Sequence, residues 1–143
     1  MTDIWLVLTS PYAYDRAMQR ANGVAKRRNA LLHVVFFIER EATSEMVREL
    51  SDTGWLGPGP LENLQTSLSK GYRSLADDVL ERVQRKVRAA TVICEGVVEE
   101  PSLVDYLERL LQQGVTRLII GGVKPLELPS QNSTAKIEWI EDD

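Results

Sequence analysis

Four short apolar runs punctuate this chain: residues 4–8 (IWLVL), 31–38 (LLHVVFFI), 91–98 (TVICEGVV) and 116–120 (TRLII). The first has no alternation and predicts a parallel strand buried on both faces. The second predicts another buried strand, and the other two read as the third strand, with Gly96 an expected irregularity, and the fourth. Between them lie stretches whose apolar residues recur every three or four positions, the period of an amphipathic helix. Strand and helix alternating in this order predict an α/β fold of three layers, with a parallel sheet between helices. The 143 residues read as a single domain, 1–143, without linker or internal repeat. That length supports an apolar core without disulfides or metal.

The helices carry recognisable punctuation. Ser10-Pro11 reads as an N-cap followed by proline at the first helical position, with Ala13, Ala17, Ala21 and Val24 forming the small-residue face of a helix over 11–28. After an acidic segment (40–50) and the loop GWLGPGP (54–60), Pro60 stands where the next helix should begin. Its stripe is Leu61, Leu64, Leu68, Tyr72, Leu75, Val79, Val83 and Val87, a span of roughly 40 Å, with Gly71 expected to bend or weaken it. Pro101-Ser102 opens a third helix with Leu103, Leu107, Leu110 and Leu111 on one face and Gly114 at its C-terminal cap.

Composition narrows the function classes. A net charge of −4 gives no electrostatic case for nucleic acid. The basic segment RVQRKVR (82–88) reads as cations at the negative end of a helix dipole. Trp5, Trp55 and Trp139 are scattered and form no stacking platform. The lone Cys94 is expected to pack within a strand and fits a reducing compartment. The start MTDIWLVLTS lacks the basic segment and length of a signal peptide or membrane span, so a cytoplasmic location is expected. His33, mid-strand in an apolar run, reads as a satisfied core histidine. No second histidine or ligand-spaced cluster suggests a metal. The Glu99-Glu100 pair before Pro101 reads as a charge effect on a helix N-terminus, not an acid/base dyad. A response-regulator receiver would need acidic residues where Thr9-Ser10 stand, and TSPYAY is too poor in Thr, Ser and Gly for a flavodoxin phosphate loop.

The segments SPYAYDRAMQRANGVAKRRNALLHVVFFIE and EEPSLVDYLERLLQQGVTRLIIGG, in their order and spacing, resemble the universal stress proteins. The resemblance covers almost the whole chain. It implies a five-stranded parallel sheet of the adenine-nucleotide α-hydrolase-like, Rossmann-like type, and homodimers formed through the last strand. Some members bind ATP through an aspartate after strand one and through Gly-x-x-Gly, nine residues, then Gly-Ser or Gly-Thr after strand four. Glycines there let the backbone approach phosphates, and the last pair opens a helix whose free N–H groups bind the anion.

This sequence departs from that pattern. Aligned on Gly121, the second glycine position is Lys124, the third is Thr134 and the Ser/Thr position is Ala135, while Leu8-Thr9-Ser10 replaces the aspartate. Residues 136–140 (KIEWI) read as the fifth strand, with Ile137 and Trp139 on one face and Lys136, Glu138 and Ile140 on the other. No room remains for the phosphate-binding helix that in the family lies beside helix one, so the nucleotide site reads as lost. Poor cover near strands four and five then predicts a homodimer with Ile137 and Trp139 near its interface.

Three function classes follow. The first is a non-enzymatic universal-stress-like protein without cofactor, acting as a homodimer or through an unidentified protein partner. The second binds ATP through a divergent loop, with Thr9, Ser10, Gly121, Gly122, Lys124 and Ser133 as its residues. The third, an enzyme of the wider α-hydrolase type, lacks a visible catalytic constellation.

Overall fold

The structure is a computed structural model describing residues 3–40, 58–87, 91–122 and 136–140, and only the backbone of 58–69. Five strands, β1 (Asp3–Leu8), β2 (Leu31–Glu39), β3 (Thr91–Glu100), β4 (Arg117–Gly121) and β5 (Lys136–Ile140), form one sheet. Their order is β3-β2-β1-β4-β5, and every adjacent pair is parallel. The helices are α1 (Asp15–Arg28), α2 (Pro58–Lys86) and α3 (Leu103–Gln112). Apolar residues of α1 and α2 share one cluster with Ile4, Leu6, Leu8, Leu32, Val34 and Phe36. Those of α3 share the opposite cluster with Val7, Val35, Phe37, Leu118 and Ile120. The central strands are therefore buried on both sides, which is why their runs lack alternation.

The first helix starts later than Ser10-Pro11 predicts. The Ser10 hydroxyl accepts from the Tyr12 and Ala13 amides, each at 3.2 Å, and so closes a turn instead of capping a helix. Helix α1 begins at Asp15, an acidic side chain favoured at the positive end of the dipole. Its buried face is Ala17, Met18, Ala21, Val24 and Ala25, and Asn29 ends it in the left-handed region (φ 50°). Helix α2 starts at Pro58, ahead of Pro60, and is continuous through Gly71. Its buried seam is Ala76, Val79, Leu80 and Val83, continued by Val87 just past its end, with Leu75 at the exposed rim. The predicted positions Leu61, Leu64 and Leu68 carry side chains outside the described set.

Strand β3 runs to Glu100, two residues past the expected end, and its register shifts opposite Val34/Val35, where Gly96 has φ +89°. Cys94 lies in this strand as expected but is exposed, not packed. The reason is topological: β3 is an edge strand, paired with β2 alone among the described strands. Ser102 caps α3 by accepting from the Asp105 amide, and Gly114 (φ +98°) follows its end. Glu99 meets Arg73 at 3.7 Å and Glu100 bonds Arg109, while the Glu39 carboxylate accepts from the Leu103 amide at 2.9 Å. Strand β5 matches 136–140, with Ile137 and Trp139 on the α3 face and Ile140 on the α1 face. None of the described helices is long and apolar enough to cross a membrane.

Candidate functional site

In an open parallel sheet, the crevice for a ligand lies at the carboxyl ends of the strands where the strand order reverses. Here that point falls between β1 and β4, which run on from one neighbour each to opposite edges. Its residues are Thr9 and Ser10 after β1, and Gly121 and Gly122 at the end of β4. Two hydrogen bonds close it. The Gly121 carbonyl accepts from the Thr9 amide (2.9 Å) and from the Thr9 hydroxyl (3.1 Å).

Packing explains both glycines. A Cβ on Gly121 would stand 2.5 Å from the Ala17 Cβ of α1, which lies directly over the strand end. On Gly122, whose φ is +137°, it would stand 1.9 Å from the Thr9 hydroxyl oxygen. Their polar groups are also engaged: the Gly122 amide donates to the Ile140 carbonyl at 3.4 Å, and its carbonyl accepts from the Trp139 indole N–H at 3.2 Å. The glycine pair thus lets helix α1, the β1 exit and β5 converge on one point.

Of the candidate nucleotide residues, the structure brings together Thr9, Gly121 and Gly122. Ser10 holds its own turn. Lys124 and Ser133 lie outside the described residues. The candidate interface pair, Ile137 and Trp139, is half-buried against the α3 face of its own chain.

Sequence reasoning missed two constellations. Beside β5, Glu138 accepts from Arg20 of α1 through both carboxylate oxygens (2.9 and 3.1 Å) and from the buried Arg117 of β4 at 3.1 Å. The Arg20 bond holds the Glu138 carboxyl below its ordinary range and raises Arg20 in turn. Burial pushes Arg117 down, helped by Arg28, and its Nε has no partner. A charge in each of two adjacent short strands, TRLII and KIEWI, was the available signal.

The second constellation is at the amino ends of the strands. His33 has partners on both ring nitrogens, as a satisfied histidine should, but it is only partly buried. Its ring stacks on Trp5 (centroids 4.5 Å apart), Nδ1 lies 2.7 Å from a Glu95 oxygen, and Nε2 lies 3.4 Å from Asp3. No group of three metal-ligating side chains is assembled among the described residues.

The chain superposes on "Universal stress protein UspA from Lactobacillus plantarum" with a TM-score of 0.54, over 97% of this chain and 95% of that one. The fold is that of a universal stress protein. Sequence identity is 14%, so the likeness is one of fold. No protein-family profile matches the chain, and no curated protein does.

Proposed function

We propose that this chain is a non-enzymatic, universal-stress-like protein of the cytoplasm that acts as a homodimer, or through a protein partner, without ATP. The observation that carries the reading is the closed switch point. Thr9 occupies both acceptor directions of the Gly121 carbonyl and stands where any side chain on Gly122 would be. A nucleotide entering there would have to displace these bonds, and Thr9-Ser10 directly after β1 offer no carboxylate to hold its adenosine end.

Dimerisation is argued from the two sheet edges. Strand β3 carries the irregularity at Gly96 and the charges Glu95, Glu99 and Glu100, devices that discourage edge pairing. In β5 the Lys136 amide and the Ile140 carbonyl bond toward β4. Alternation along the strand then turns the backbone groups of Ile137 and Trp139 outward, where no described strand pairs with them and a second copy could.

ATP binding through Thr9, Ser10, Gly121, Gly122, Lys124 and Ser133 is the second reading, favoured by the glycine pair at the end of β4. A melting curve with ATP and magnesium separates the two. A ligand at one hundred times its Kd adds about 2.7 kcal/mol to stability. The expected outcome is no shift at millimolar ATP. A clear rise, reduced in Lys124→Ala, would establish the second reading.

A further inference from the structure

Helix α3 is much shorter than the sheet it covers. Its 10 residues span about 15 Å, whereas the 9 residues of β2 span roughly 30 Å. Among the described residues, the amino-terminal part of the α3 face is therefore left open below the end of the helix. A cleft of about 410 Å³ lies there, lined by Asp3, Trp5, His33, Gln113, Gly114, Val115 and Thr116. This is within the size range of small-molecule sites. It is at the opposite end of the strands from the glycine pair.

Three independent features make this cleft electronegative. The first is carboxylate charge. Asp3, half exposed, lines the cleft, and Glu95, outside the lining itself, stands behind the lining residue His33 with an oxygen 2.7 Å from its Nδ1. Glu95 takes that position because β3 is irregular at this point, where the register skips from Cys94 to Gly96. Its charge is felt on the same face: after burial, Glu95 is the next cause that pushes the Tyr106 phenol up to about 12. The second feature is the Trp5 ring, which lines the cleft with one face stacked on His33, and an indole π face attracts cations. The third is the C-terminus of α3, the negative end of its dipole, which brings Gln113 and Gly114 to the cleft wall.

Among the described residues, no lysine or arginine pairs with Asp3 or Glu95, whose ion partner is His33. Even with the imidazole protonated, two carboxylates face one cation. A metal ion does not suit the cleft, because no three ligating side chains converge among the described residues. The shape and the aromatic wall instead suit a cation with a planar or apolar body.

We propose that the cleft between Asp3, the Trp5–His33 stack and the Gln113–Thr116 turn binds a small organic cation, a guanidinium or amine. The cationic head lies at Asp3 and the body rests on Trp5. The same chemistry could arrive as a free amine or as an arginine side chain of a protein.

Isothermal titration calorimetry on the full chain tests this, with agmatine as the free cation and acetyl-arginine amide as the protein-like probe. At least one probe should bind saturably at one site. Asp3→Asn and Glu95→Gln should each weaken it by roughly tenfold, while Lys136→Ala leaves it unchanged. Preference for agmatine points to a free amine, and equal or tighter binding of the capped arginine points to a protein side chain. Each variant's melting curve shows that it is folded. Absence of saturable binding up to roughly 10 mM, where ΔG° is only about −3 kcal/mol, overturns the proposal, as does affinity unchanged in both carboxylate variants.

Discussion

Gly122 and Thr9 show how a sequence signal can be real while its cause differs from the obvious one. The glycine pair after an apolar strand reads as the start of a phosphate loop. In the structure it is a point of close approach, where a Cβ on Gly122 would overlap the Thr9 hydroxyl at 1.9 Å. Gly122→Ala should therefore destabilise the fold by about 2 kcal/mol or more, from the collision and the positive φ together. Thr9→Ala in the same chain should recover the part due to collision, since the two side chains are in contact. A double-mutant cycle from urea melts measures this coupling. Strictly additive effects would contradict it. Sequence alone could not separate the two causes, because the partner of Gly122 is more than one hundred residues away in the chain.

At the scale of elements, Glu138 adds side-chain bonds to the β4–β5 ladder and ties it to α1. This carboxylate serves Arg20 of α1 and the buried Arg117 of β4, and Lys136 lies 3.7 Å away. Glu138→Ala would leave Arg117 buried with neither Nε nor its terminal nitrogen paired within this group. The expected loss is roughly 3 kcal/mol, the scale for breaking a buried ion pair from one side. The pH dependence has a definite sign. Because the folded Glu138 carboxyl titrates below its ordinary value of 4.5, its contribution is fully present above that value. It is lost as pH falls through the depressed folded value. Acid unfolding of the wild type should therefore steepen below about pH 4.5, and Glu138→Gln should flatten that limb. Equal acid slopes by circular dichroism would contradict this. Element order and type were legible because long runs and periodic stripes are dominated by burial. Boundaries were less so: Ser10 diverted its hydroxyl into a turn, and the edge position of β3 exposed Cys94 despite its apolar neighbours.

For the whole molecule, the parallel sheet and its likeness to a universal stress protein were readable from the spacing of strands and helices. The sites were less readable. The Trp5–His33–Glu95 grouping joins three strands through ladder register and an irregularity, neither of which a linear pattern displays. The dimer reading makes its own prediction at this scale. Ile137→Pro removes an outward-pointing amide of β5 while leaving the bonds of Lys136 and Ile140 toward β4. It should yield folded monomers in sedimentation, and Trp139→Asp should yield monomers or aggregates. A dimer that persists in Ile137→Pro would place the contact elsewhere. The most direct measurement on the intact protein is native mass spectrometry at high micromolar concentration. The predicted species is a dimer of two 16.1 kDa chains with no adenine nucleotide attached. A monomer carrying one ATP would contradict both halves of the reading.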